Sequence, residues 1–145
     1  MEIQVTDAEW EILAAIWALE SQLLKNEARG FAAGAIIERV QEEMDWNHRT
    51  VRTLIGRLVE KNAIHVEVVG NKHIYHSSVA RQACVRVAAK SFSQRFFDGS
   101  VKSMLLHFVE NDELSESDIA DIRRLLSEKS RKSESKTKGS KRKQK

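Results

Sequence analysis

DWNHRTVRTLIGRLVEKNAI, residues 45–64, is the stretch on which the architecture turns. Asn47 is a residue type that caps helices by accepting a backbone N–H. Behind it Val51, Leu54, Ile55 and Leu58 recur at i, i+3, i+4 and i+7, which predicts a helix over His48–Lys61 with one apolar face. Asn62 stands where a helix ends in a left-handed residue. The other face carries Arg49, Arg52 and Gly56 at i, i+3 and i+7, flanked by His48, Thr50, Thr53 and Arg57.

Working outward, Thr6-Asp7-Ala8-Glu9 is a capping box, followed by Trp10, Leu13, Ala14 and Trp17 at helical spacing; a helix over Asp7–Ser21 is expected. Leu23 to Phe31 reads as a loop. Ala32 to Glu43 is amphipathic, with Ile36, Ile37, Val40 and Met44 on one side. After the central helix come Ile64–Val69, a turn at Gly70-Asn71, and Lys72–His76, two short strands in a hairpin. Three helices and a hairpin in this order make a winged helix-turn-helix. The expected fold class is mainly α with a small β-hairpin, the winged domain occupying residues 1–78.

Residues 79–128 are helical in pattern: Ala80–Phe96 with Ala83, Val87, Phe92 and Phe96; a short helix capped by Ser100 with Val101, Leu105, Phe108 and Val109; and a last helix begun by Ser115-Glu-Ser-Asp118, with Ile119, Ile122, Leu125 and Leu126 on one stripe. So few helices make a thin core alone, and short helices need packing on their apolar faces. A homodimer paired through this region is expected. Residues 129–145 contain no apolar side chain and are expected to be a disordered basic tail.

Charge sharpens this division. Of 24 Lys/Arg and 21 Asp/Glu in 145 residues, the last 17 residues hold nine basic and one acidic, so a tail of net +8 follows a body of net −5. Within that body, residues 47–61 carry four Lys/Arg against one Glu. The longest apolar run, Ile12–Leu19, has eight residues, against about 20 for a bilayer span. A cytoplasmic protein without membrane insertion is expected. Cys84 is the only cysteine, which excludes an intramolecular disulfide and a CxxC pair; it reads as a small buried apolar residue. There is no HExxH, GxGxxG, P-loop or GxSxG pattern, so neither an enzyme nor a cofactor is expected.

An α-helix fits the major groove of B-DNA, where Arg bonds bidentately to guanine and Thr meets a thymine methyl or a phosphate; Gly56 lets the backbone come close. An arginine triplet alone is more often a solvated helix face. Its place after a helix and a short turn, and before a hairpin, favours DNA. Arg49, Arg52 and Thr53 are the candidate base-edge contacts, and His48, Thr50, Arg57 and Lys72 the candidate phosphate contacts, with Gly70-Asn71-Lys72 as the wing. Trp10, Trp17 and Trp46 read as core rather than stacking platforms. Pairing about Gly70-Asn71 sets His65 opposite His76 and Val68 opposite His73, but two histidines without a carboxylate or thiolate make a poor site, and no metal is expected.

With these residues in place, DWNHRTVRTLIGRLVEKNAI resembles the W-S-x-x-T-V-x-T-L-L-x-R-L-x-x-K-G segment of the penicillinase repressor family, the BlaI/MecI/CopY group. TDAEWEIL (6–13), GNKHIYH (70–76) and FFDGSVKSMLLHFVENDELSESDIADIRRLL (96–126) resemble three further stretches of it, and the similarity spans about residues 5–127. The resemblance implies a bacterial winged-helix repressor that binds an inverted-repeat operator as a dimer. In the family's β-lactam branch a membrane metalloprotease sensor triggers cleavage of an Asn-Phe bond, which corresponds here to His107-Phe108; the Phe matches and the Asn does not. The paired terminal cysteines of the copper-responsive branch are absent.

The expected function is therefore a homodimeric, DNA-binding transcriptional repressor, with double-stranded operator DNA and a sensor metalloprotease as the implied partners. Two rivals stand beside it. One is a sequence-tolerant DNA-coating protein relying on the tail, which deletion of residues 129–145 would separate from a specific repressor. The other is a metal-responsive regulator using His65, His73 and His76.

Overall fold

The first helix is set by its ends as much as by its period. Thr6 Oγ1 accepts from the Glu9 backbone N–H at 3.2 Å and a Glu9 carboxylate oxygen accepts from the Thr6 N–H at 3.5 Å, so the box read in the sequence closes around the start of α1 (Asp7–Ser21). In this computed structural model residues 2–23 and 30–143 are described, with side chains through Ser135. The loop expected from Leu23 to Phe31 therefore lies mostly outside the described residues. Its last residue does not: Phe31–Ala32 form a short strand, β1. Next come α2 (Ala33–Gln41), α3 (His48–Glu60), β2 (Ile64–Val69), β3 (Lys72–Ser77), α4 (Arg81–Phe97), α5 (Val101–Glu110) and α6 (Glu116–Lys143).

The sheet is antiparallel in the order β1-β3-β2, three strands where a two-stranded hairpin was expected. β1 adds to β3 through Phe31↔Tyr75 and Ala32↔Ile74. Gly30 makes this approach workable: its φ of 137° suits glycine, and a methyl there would run into Ile74 Cγ2. The β2–β3 register is the expected one, with His65↔His76 and Val68↔His73, and Gly70 turns the chain at φ 65°. Asn62, at φ 65°, ends α3 in the left-handed region as its identity suggested.

The core lies where α1, α2 and α3 pack on one another. Ile12, Leu13, Ile16, Ile36, Val51, Leu58 and Ile64 are buried, with Trp10, Trp17 and Trp46 packed against them, so the tryptophans are structural. Trp10 and Trp17 meet edge to face at 5.3 Å. Cys84 also belongs to this core, and burial pushes its thiol pKa up. α4 begins in that core through Cys84, and the first compact unit ends at Phe92.

The second unit, Ser93–Lys145, contains the rest of α4, α5 and α6. Ser100 caps α5, and Ser115 and Asp118 cap α6 reciprocally at 3.0 Å. No apolar side chain among its described residues is buried. α6 runs on to Lys143, through most of the stretch from residue 129 expected to be disordered. Lys, Arg and Glu are good helix formers and the chain has no proline to break the helix. Among the described residues no helix is long and apolar enough to cross a membrane.

Candidate nucleic-acid interface

α3 separates its two faces cleanly. Asn47 Oδ1 accepts from the Thr50 N–H at 2.8 Å and fixes the helix start. Val51, Leu54, Ile55 and Leu58 are buried, while His48, Arg49, Thr50, Arg52, Thr53, Gly56 and Arg57 are all exposed. Arg49 to Gly56 covers about 10 Å along the axis at a rise of 1.5 Å per residue. That length matches the reach of a helix into one groove. Apart from its chain neighbours and its own helix backbone, nothing lies within 4 Å of where a Gly56 side chain would stand, so this strip is open.

The charges on that strip are uncommitted. Among the described residues none of Arg49, Arg52 and Arg57 has an ion-pair or hydrogen-bond partner for its guanidinium, and their donors face solvent in the fork geometry that suits phosphate or guanine. Thr53 is different. Its hydroxyl donates to the Arg49 carbonyl at 3.0 Å, which leaves its methyl and its oxygen lone pairs for an incoming surface.

Lys61 does not join them, although the sequence counts it within the same basic stretch. Its Nζ reaches both oxygens of buried Glu9, at 2.7 and 3.0 Å, and the Gln4 carbonyl at 3.0 Å. The basic surface of α3 is therefore three arginines, and Lys61 ties the end of α3 to the start of α1. Lys72 stands exposed at the hairpin tip beside Gly70 and Asn71. The hairpin's other end is anchored: Glu20 accepts from the Ser77 N–H at 2.8 Å and from its hydroxyl at 2.7 Å.

A groove of about 410 Å³ lies between α3 and the sheet, lined by Arg52, Gly56, Glu60, Val68, His73 and Tyr75 among others. His73 thus faces α3. His65 and His76 project from the opposite side of the hairpin, so the three histidines considered together in the sequence do not form one cluster. What the sequence missed there is Glu67, whose carboxylate lies 3.7 Å from His65 and 3.9 Å from His76. The period-two alternation of β2, with His65 and Glu67 on one side, was the available signal.

His107 and Phe108 both lie within α5. The His107 carbonyl accepts from the Asn111 N–H at 3.2 Å and from its side-chain amide at 2.7 Å, so the bond between the two residues sits in intact helix.

Residues 5–128 match the family model described as penicillinase repressor. The chain belongs to that family. It is a DNA-binding transcriptional repressor of a family of regulators, not of enzymes. A penicillinase repressor of Bacillus licheniformis is 32% identical over 90% of this chain and 96% of its own. The methicillin resistance regulatory protein MecI of Mammaliicoccus sciuri is 32% identical over 87% of this chain and 95% of its own. Among solved structures, the monomeric form of Bacillus licheniformis BlaI in complex with a half-operator overlaps 57% of this chain and 90% of its own, at 20% identity and a TM-score of 0.43.

Proposed function

We propose that this repressor works in the bacterial cytoplasm and binds an inverted-repeat operator as a homodimer, each copy laying α3 into a major groove and setting its hairpin against the flanking backbone. The observation that carries this reading is the split of α3 itself. One side is wholly buried, and the other offers three unpaired arginines around an open glycine. Arg49, Arg52 and Thr53 read base edges; His48, Thr50, Arg57 and Lys72 hold phosphates.

The dimer rests on the second unit. Val101 and Leu105 on α5 and Leu125 and Leu126 on α6 are each between 48 and 59% exposed, so among the described residues these apolar side chains are left largely uncovered on both helices. A second copy supplies the missing surface and sets the distance between the two copies of α3. Release by cleavage at His107-Phe108 rests on family likeness alone, and a protease would have to unwind α5 first. Incubation with a cognate membrane sensor, followed by an intact mass, would remove that route.

Selection of random duplexes by the purified protein at physiological ionic strength tests the reading. The expected product is an inverted repeat whose half-sites are spaced by about one helical turn, 34–36 Å, or a multiple of it. Recovery of no preferred sequence would overturn it.

A further inference from the structure

The solvent side of the hairpin, away from α3, carries a constellation that DNA reading does not use. His65 and His76 face each other across the β2–β3 ladder with ring centroids 4.8 Å apart, and Glu67, two residues along β2, reaches back between them. One ligand atom from each lies within 4.8 Å of the others. Zinc bound tetrahedrally by nitrogen and oxygen at about 2.0–2.1 Å places its ligand atoms about 3.3 Å apart. The two His–Glu separations, 3.7 and 3.9 Å, are within a few tenths of an ångström of that. The remaining closure falls to His65, which is 54% exposed and free to turn.

His76 is already oriented for ligation. Its Nδ1 lies 3.2 Å from the Ser77 carbonyl oxygen, an acceptor for an Nδ1–H, so in the Nδ1-protonated tautomer this contact orients the ring and leaves Nε2, on the side of Glu67, to take an ion. Ser77 is in turn gripped by Glu20 through two hydrogen bonds, so the strand end bearing His76 is fixed before any ion arrives.

We propose that His65, Glu67 and His76 form a three-ligand site for a divalent transition-metal ion of the zinc class, with solvent in the open position. Two imidazoles and one carboxylate suit zinc or nickel over magnesium or calcium, which prefer all-oxygen shells. The ion joins β2 to β3 at the end of the wing opposite Lys72, stapling the hairpin independently of DNA.

Calorimetric titration of the full chain with zinc chloride, without DNA, tests this. The expected result is one equivalent per chain, with His76→Asn and Glu67→Gln each weakening that binding by about tenfold or more and His73→Asn leaving it unchanged. Glu67→Gln keeps the shape of an exposed side chain, and unchanged circular dichroism shows that the variant is folded. Saturable binding that survives both substitutions, or no saturable binding below millimolar zinc, would overturn the proposal. Because the titration contains no DNA, it stands or fails apart from the operator reading. As a second readout, zinc should slow amide hydrogen exchange in β2 and β3 of the native sequence, and not in His76→Asn.

Discussion

Two basic side chains of this repressor look alike in composition and differ in what they can report. Arg52 stands mid-helix on the open strip of α3, while Lys72 stands at the hairpin tip. A bidentate contact to a base edge carries sequence information; an ammonium beside a phosphate carries none. Arg52→Ala should relax discrimination at one base pair by about 1–3 kcal/mol, whereas Lys72→Ala should weaken operator and random DNA alike and lower the salt slope by about one unit. Binding titrations on both DNAs across a salt series measure this, and identical behaviour of the two variants would refute the division of roles. Lys61 behaves as neither. Its partner Glu9 is 2% exposed, so Lys61→Ala strands a carboxylate in the α1–α3 junction. Because Lys61 itself is 36% exposed, the loss should be on the order of 2 kcal/mol, below the range for a fully buried pair. Denaturant unfolding reads it, and base preference should not change.

At the scale of elements, what could be read in advance follows from how many independent signals each element carries. α1 has a capping box and an apolar period, and α3 has a cap, a period and a left-handed terminator; both were legible from residues alone. β1 has two residues and no pattern. It exists because β3 offers an edge and Gly30 lets the backbone come alongside, neither of which is local information. Gly30→Ala should therefore push β1 off Ile74 and Tyr75, with a thermal midpoint lowered by several degrees for a loss of about 1–2 kcal/mol. Faster amide exchange confined to the β1–β3 ladder would mark the cause, and an unchanged midpoint would show that the approach is not needed. The same limit explains the other misses. Lys61 pairs with a residue 52 positions away, and Glu67 joins His76 across a ladder; sequence spacing registers neither contact. Cys84 was legible as buried, but not that it seats the start of α4 in the first unit's core.

For the whole molecule, the two units have opposite economies of surface. The first buries a complete core from three helices and a sheet, whereas the second exposes Val101, Leu105, Leu125 and Leu126 along its helices. Large apolar side chains exposed in such number on neighbouring helices mark a surface that another surface covers. If a second copy covers it, charges placed on α5 and α6 will separate the copies without touching α3. Leu105→Glu combined with Leu125→Glu should convert the dimer to a monomer by sedimentation equilibrium and leave the unfolding of the first unit unchanged. Binding to a single half-site should persist, because α3 and the hairpin are intact. Affinity for the full inverted repeat should fall by about 10²–10⁴-fold, the gain that linking two half-sites provides when the geometry lets both engage. A doubly substituted chain that remained dimeric and kept its full operator affinity would place the subunit contact elsewhere. Loss of half-site binding as well would mean that the second unit supports α3 directly instead of only pairing it.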